Sequence, residues 1–547
     1  MNKKIPLFLS SLVIGIIAFA LWNNKKTPAE GLPEKPIVIL IASYNNADWY
    51  KKNLDSIFKQ QYSNYRAIYI DDCSKDGTYD LVKNYIETSG QSDRFTIIHN
   101  EVNRGAVANL FLTAHMCKDN EIVIHLDGDD WFKNNYVLQR VNQEYANPDT
   151  WMTYGQFEIY PGSRKGWCRE IPNVIHEKNL YRDYEWITSH LRTFYAWLFK
   201  RIKLEDCLHQ SKWLPVSYDM AFVFPMLEMA REHTKFIPDI LYVYNCATPS
   251  NDHKLHLAKQ QYFNKLIRLK NRYLKVTESP ISKPKNKRFY TDMIIFSENN
   301  PLGLQALLES TRCFVSGLDQ IHVLYEFTDD IQKQTYEKVL ENFPLVILHP
   351  YNKDGKTTLS TILESLIQHT DFALCAHDNI IVKDIIDIKQ CVHALDQTHA
   401  YGFYLTLGKN IIDNPALRRN LNLPSFVDLD NNVSAWQFNC GEYDWKNPRT
   451  LTFGLYRSTT IKNMLHNTVF NNSHQLKELL DGIPFNMNQV GLILSHSPAI
   501  VLENNNNTNQ SNMLDSGLKM DIDTVAHIKN NRQVVAQHVP LTHQNIT

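Results

Sequence analysis

The stretch EIVIHLDGDDWF, residues 121–132, decides the fold. Its apolar run ends without a break in Asp127-Gly128-Asp129-Asp130. A short apolar run bounded by polar turn residues reads as a buried strand. Residues 121–126 are therefore a strand whose C-terminal end carries acids. Upstream, three more runs read the same way: Ile37–Ser43 (IVILIAS), Arg66–Ile70 running into Asp71-Asp72, and Phe95–Ile98. Between them lie runs with helical apolar spacing. These are Trp49–Gln60 with Leu54, Ile57 and Phe58, then Tyr79–Ile86, then Ala106–Met116. Strands alternating with helices predict right-handed βαβ units and an α/β fold on a parallel sheet. Ligands in such sheets bind beyond the C-terminal strand ends, where the polar clusters of this chain fall.

Further along, Pro280–Lys287 (PISKPKNK) is polar, carries two prolines and reads as a linker. The alternation then starts again. Strands are expected at Thr291–Ser297, Ile321–Tyr325, Leu345–Leu348 and Phe372–Ala376, the last followed by His377-Asp378-Asn379. Helices are expected at Leu302–Phe314, Ile331–Leu340 and Leu359–His369. Ser43-Tyr-Asn-Asn46 has an echo in Ser297-Glu-Asn-Asn300. The expected organisation is an anchor and tether at 1–36, a first domain at 37–275 and a linker at 276–288. A second, divergent copy at 289–503 and a polar tail at 504–547 complete it. One large sheet is the alternative.

At the N-terminus, Lys3 and Lys4 precede an uncharged run from Ile5 to Trp22, and Lys25 and Lys26 follow. A helix of that length spans about 27 Å, enough to cross a bilayer core. A single-pass anchor is expected, with a cleaved signal as the alternative because Ala18-Phe19-Ala20 resembles a cleavage site. Basic residues on both flanks leave the orientation open.

Composition narrows the function. The net charge of −1 supplies no field to hold nucleic acid. Nine scattered cysteines form no CxxC pair and no zinc spacing, which argues against a disulfide framework. No P-loop, dinucleotide-binding glycine pattern or GxSxG occurs.

The first half resembles the nucleotide-sugar-binding part of family 2 glycosyltransferases, which have a GT-A fold. The resemblance rests on IASYNNADWYKKNLDSIFKQQYSNYRAIYIDDCSKDGT, then HNEVNRGAVAN, then IHLDGDDWF. It covers about residues 36 to 275 with the acceptor half included. It implies a metal-dependent, inverting transferase. The donor would be a nucleotide sugar, with UDP suiting Asp72, and the acceptor a hydroxyl of a glycan, lipid or protein. A leaving diphosphate develops charge, and a divalent cation such as Mn²⁺ or Mg²⁺ stabilises it through carboxylate ligands.

By the same resemblance, Asp129 would hold the metal and Asp127 would face the ribose or the metal shell. Asp72 would accept from the base, Tyr44 would stack on it, and Asn45 would belong to the same nucleotide-sugar pocket. Arg104 would pair with the diphosphate, and Gly105 would let the backbone approach. The base catalyst would be Asp219, in LPVSYDMAF (214–222), although Tyr218 stands where the family has an acid. Asp206 and Glu228 are the fallback bases. His253 lies where relatives have a phosphate- or metal-contacting histidine. Plainer readings stay open: an acidic strand end for 127–130, turn packing for Tyr44, a solvated charge for Arg104, a helix cap for Asp219 and a surface histidine for His253.

The second half resembles a group of GT-A-like bacterial and viral modules, through AWQFNCGEYDWKNPRTLTFGLYR (435–457) and IPFNMNQV (483–490). Its fourth strand is followed by only one carboxylate, Asp378, which leaves room for a weaker metal site or a degenerate partner domain. A non-catalytic glycan-binding scaffold is the main rival for the whole chain. A nucleotidyltransferase is a distant one, since 43–46 offers no basic loop.

Overall fold

The computed structural model describes residues 32–248, 257–282, 288–351, 357–414, 419–465 and 468–502. The anchor reading (5–22), the tail from 504 and His253 lie outside the described residues. Among the described residues no helix is long and apolar enough to cross a membrane. The chain divides into two compact units. One holds the chain up to Ile202 together with Trp213–Lys285; the other holds Lys203–Lys212 and the chain from Asn286 on.

The first unit opens with β1 (Ile37–Ser43), α1 (Tyr50–Phe58), β2 (Tyr65–Asp71), α2 (Thr78–Thr88), β3 (Phe95–His99), α3 (Ala106–His115) and β4 (Ile122–His125). Then come β5 (Trp131–Phe132), α4 (Val137–Tyr145), β6 (Met152–Tyr160), β7 (Arg164–Lys165) and β8 (Thr193–Tyr195). It closes with α5 (Tyr218–Ala230), β9 (Thr234–Asn245) and α6 (Leu257–Leu269). The sheet runs β3-β2-β1-β4-β8-β6-β9-β5, with β7 on the side of β6. The four expected strands are present and pair in parallel. The mostly parallel sheet expected of a GT-A fold is present, with one strand reversed inside it. β8 inserts antiparallel between β4 and β6, and β6 and β9 resume in parallel. Strands β1 and β4 lie in the middle with Val38–Ile41 and Ile122–Ile124 wholly buried. That is why they read as unbroken apolar runs.

The second unit has β10 (Thr291–Glu298), α7 (Pro301–Phe314), β11 (Gln320–Glu326), α8 (Asp330–Glu341), β12 (Val346–Pro350), α9 (Leu359–His369) and β13 (Phe372–His377). There follow α10 (Ile388–Thr398), β14 (Gly402–Tyr404), β15 (Val433–Gln437), β16 (Phe453–Arg457) and β17 (Val490–Leu494). Its sheet runs β12-β11-β10-β13-β16-β14-β17-β15, ending on Val427–Asp428. Again β16 is the antiparallel insertion beside β13, and β14 and β17 are parallel. The core around Tyr404, Trp436, Trp445 and Tyr456 is aromatic and fully buried.

Candidate active site

The site grows from the end of β4. Leu126 N donates to Leu40 O and Gly128 N to Ala42 O, so the acidic turn continues the β1–β4 ladder. A Cβ on Gly128 would stand 2.7 Å from both Ser43 Cβ and Asn46 Nδ2. Only glycine lets the turn lie this close to β1. From α1, the buried Asn53 donates through Nδ2 to the carbonyls of Asp127 (3.0 Å) and Asp130 (2.7 Å), clamping both ends of the turn.

Each acid then has its own surroundings. Asp127 accepts from Tyr218 OH at 2.6 Å. Asp129 accepts from Thr248 Oγ1 at 2.9 Å. Asp130 is buried and accepts from Tyr242 OH (2.6 Å) and Asn245 N (2.7 Å). Burial and the neighbouring Asp127 push Asp129 up to about 6. Burial and both neighbours push Asp130 well above the usual carboxylate range. Crowded carboxylates raise one another because like charges cannot all ionise in a shielded place.

Carboxylate oxygens of Asp127 and Asp130 and a ring nitrogen of His190 come within 4.8 Å of one another. Asp127 was expected here, and Asp130 and His190 join it among the described residues. Asp129 accepts from Thr248 beside them, and His253 lies outside the described residues. His190 stacks on Tyr242 (ring centroids 4.4 Å apart) and stays neutral through burial. Arg192 donates to its Nδ1 at 3.1 Å, so the ring proton sits on the other nitrogen. The lone pairs left for a cation are those of the carboxylates, and a hard divalent cation fits such a set.

The nucleotide side lies at the ends of β1 and β2. Tyr44 is 45% exposed, an uncovered ring at the strand end. Asn45 holds φ 53, and its Oδ1 accepts from Lys75 N. Asp71 turns to local work, accepting from Ser74 N and pairing with His99. Asp72 is buried and accepts from Asn100 Nδ2, Arg104 N and Gly105 N, each at 2.8 Å. The backbone of Arg104-Gly105 is thus engaged by Asp72 at the start of α3. The Arg104 side chain, expected to pair with the diphosphate, takes no part in these bonds.

Asp219 lies in the first turn of α5. Its Oδ2 is 3.6 Å from Arg192 Nη1. Burial raises Asp219 above the usual carboxylate range, and the Arg192 charge opposes the rise. Arg192 is itself buried, with Nε and Nη1 lacking hydrogen-bond partners. The fallback bases stand elsewhere. Both oxygens of Glu228 are taken by Arg182, at 2.6 and 2.9 Å, in a buried pair. Asp206 falls in the segment that groups with the second unit. Sequence reading missed Asn53, His190, Arg192, Tyr242 and Asn245. The last four reach the turn from β8 and β9 or their approaches, elements far away in the chain and without a local motif.

The model of "Glycosyl transferase family 2" matches residues 38–208. The putative colanic acid biosynthesis glycosyl transferase WcaA of Escherichia coli K12 is 26% identical over 183 residues, 32% of this chain and 61% of that protein. The putative teichuronic acid biosynthesis glycosyltransferase TuaG of Bacillus subtilis is 30% identical over 108 residues, 20% of this chain and 41% of that protein. The chain thus spans less than two thirds of these relatives. Among solved structures, the mannosyltransferase PcManGT of Pyrobaculum calidifontis, in complex with GDP-Man and Mn²⁺, has 18% identity and a TM-score of 0.32. That match covers 49% of this chain and 76% of that one. Residues 38–208 are thus similar to glycosyltransferase family 2.

Proposed function

We propose that the first unit is an inverting glycosyltransferase that moves a sugar from a nucleotide donor, a UDP-sugar, to a hydroxyl of a glycan, lipid or protein acceptor. One observation carries this reading: Tyr218 and Asp219, adjacent in sequence, bring a carboxylate to the acidic turn through the 2.6 Å bond from Tyr218 to Asp127. Tyr44 and the remaining lone pair of Asp72 would hold the base. The Asp127, Asp129 and Asp130 carboxylates would hold a divalent cation, which when bound neutralises charge on the leaving diphosphate.

Asp219 would take the proton from the acceptor hydroxyl as its oxygen attacks the anomeric carbon. The bond to the diphosphate breaks on the opposite face, so the anomeric configuration inverts. Arg192 favours the charged form of Asp219, the form a base requires. The apolar run 5–22 would tether the unit to a bilayer. The second unit would be a tandem copy that has lost its acids and helps to place the acceptor.

The test uses the full chain with Mn²⁺ and a panel of UDP- and GDP-sugars. Asp219→Asn is expected to lower donor turnover about 10²–10⁴-fold, the size of a general-base contribution. Turnover equal to the unsubstituted chain would remove the base assignment, and no turnover of any donor would remove the reading itself.

A further inference from the structure

A cavity of about 430 Å³ opens beside Asp219 and His190, within the first unit. Its walls are aromatic: Phe157 and Trp167 meet edge to face at 4.9 Å, and Trp186 packs edge-on against Phe224 at 5.4 Å. The β6–β7 hairpin shapes one side. There Gly166 is required, because a Cβ would stand 2.4 Å from the Phe157 ring. Trp167 follows it and stays 50% exposed. A broad aromatic face left open in a concave site is suited to the apolar face of a sugar ring.

The charge of the lining is the second observation. Two guanidinium groups, Arg164 and Arg268, share the lining with one carboxylate, Asp219. Neither arginine has a carboxylate partner within ion-pair distance among the described residues, whereas the neighbouring Arg182 is fully paired with Glu228. Arg268 is held through Nη1 to the carbonyls of Arg182 and Tyr184, which fixes its fork toward one side. Arg164 stands on the exposed hairpin strand β7. A pair of arginines without acid partners recognises carboxylate or phosphate oxygens in bidentate fashion.

We infer that the acceptor is an anionic sugar. Its ring lies against Trp167 and Trp186, its carboxylate or phosphate meets Arg164 and Arg268, and its hydroxyl reaches Asp219. This rests on the transferase reading of the same site.

The test measures binding, so that it stands apart from turnover. Methyl β-glucoside, methyl β-glucuronide and methyl β-glucoside 6-phosphate are titrated into the full chain while tryptophan fluorescence is followed, with Trp167→Phe as the control for signal. At least one charged probe is expected to bind about tenfold or more tightly than the neutral one, and the tighter of the two identifies the carboxylate or the phosphate source. Arg164→Gln, on an exposed strand, is expected to remove most of that advantage while moving the neutral probe less than twofold. Arg268→Gln should do the same. Equal affinity for the three probes, or a charge preference untouched by both substitutions, overturns the proposal. Loss of all donor turnover with the charge preference intact would instead count against the transferase reading.

Discussion

In the first unit Gly128 N donates to Ala42 O, and in the second Asp378 N donates to Phe296 O. In each unit this bond is the rung that ties the turn after the fourth strand to the first strand. Ser43 and Ser297 end the central strands, Asn45 and Asn299 both turn left-handed with φ 53 and 55, and both side chains accept from a backbone N–H across the cleft. Counted from that rung, Asp378 stands where Gly128 does. His377 takes the place of Asp127, Asn379 that of Asp129 and Ile380 that of Asp130. The carboxylate that the sequence left open to a weaker metal site is therefore in the glycine position. It accepts from Ser297 Oγ at 2.8 Å, buried against β10. The close approach that Gly128 allows from the turn is allowed in the second unit from the helix side. There a Cβ on Gly303 would stand 2.5 Å from Asp378 O. At this rung the first unit thus carries a crowded acidic turn and the second a carboxylate committed to packing.

The largest effect expected of this difference is on turnover. Asp127→Asn should lower donor turnover by a factor on the order of 10³, as loss of preorganised charge stabilisation does. Asp378→Asn should leave it within about twofold, because the Asp378 carboxylate is committed to Ser297 on β10. Steady-state kinetics on the two variants decides. A comparable loss from Asp378→Asn would mean that the second unit acts on substrate after all.

Stability against pH separates the units next. Burial raises Asp378 to about 6, against the hydrogen bonds from Ser297 and Asn300 that lower it. Because the folded value lies above the unfolded one, the native state holds the proton more tightly. The stabilisation is full below the unfolded value of 3.8 and is lost as pH rises through about 6. A shift of about two units corresponds to at most about 3 kcal/mol. Asp378→Asn, which cannot ionise, should gain stability relative to the unsubstituted chain as pH goes from 4 to 7. Denaturant unfolding at the two pH values measures the difference, and an unchanged difference would show that Asp378 is not buried as described.

The glycine contact gives a smaller effect. Gly128→Ala must push Ser43 and Asn46 away, an overpacking cost of about 1–3 kcal/mol. It should also displace the acidic turn and weaken Mn²⁺ binding, which a titration followed by electron paramagnetic resonance would show. If stability falls while Mn²⁺ affinity holds, the turn is anchored by Asn53 alone.

Much of this comparison could be read in the chain, and the reasons are local. IVILIAS and EIVIHL are buried on both faces, so their apolar runs name them as strands, and the acids that follow must fall at a strand end. The SYNN and SENN echo marks the paired turn for the same reason, since Asn tolerates φ above zero. The register was not legible. His377-Asp378-Asn379 looks like a weakened DGD until the ladder is counted, because one residue of shift changes the face on which a side chain falls. Nor were His190, Arg192, Tyr242 and Asn245. They enter through β8, β9 and the loops that lead to or from them, and long-range sheet order is not written in any short window. The place of the antiparallel strand was not legible on the same ground, for β8 is only three residues long.

The smallest prediction concerns what the two units keep. At both Asn45 and Asn299 the backbone is left-handed, which costs an ordinary L-residue about 1–2 kcal/mol and glycine almost nothing. Asn→Ala at either position should therefore be less stable than Asn→Gly by about 1 kcal/mol, and by the same amount in the two units. Both replacements lose the side-chain acceptor for Lys75 N or Thr328 N, so that loss cancels in the comparison. Activity should not cancel. Asn45 adjoins Tyr44 at the proposed base pocket, so its replacement should raise the donor KM. Asn299 adjoins Glu298, which accepts from Tyr351 OH and Ser473 N and so supports packing. Matched stability losses with a KM change at Asn45 alone would mean that the turn is kept for the fold in both units and used for the donor in one. A KM change at both would return the second unit to the nucleotide.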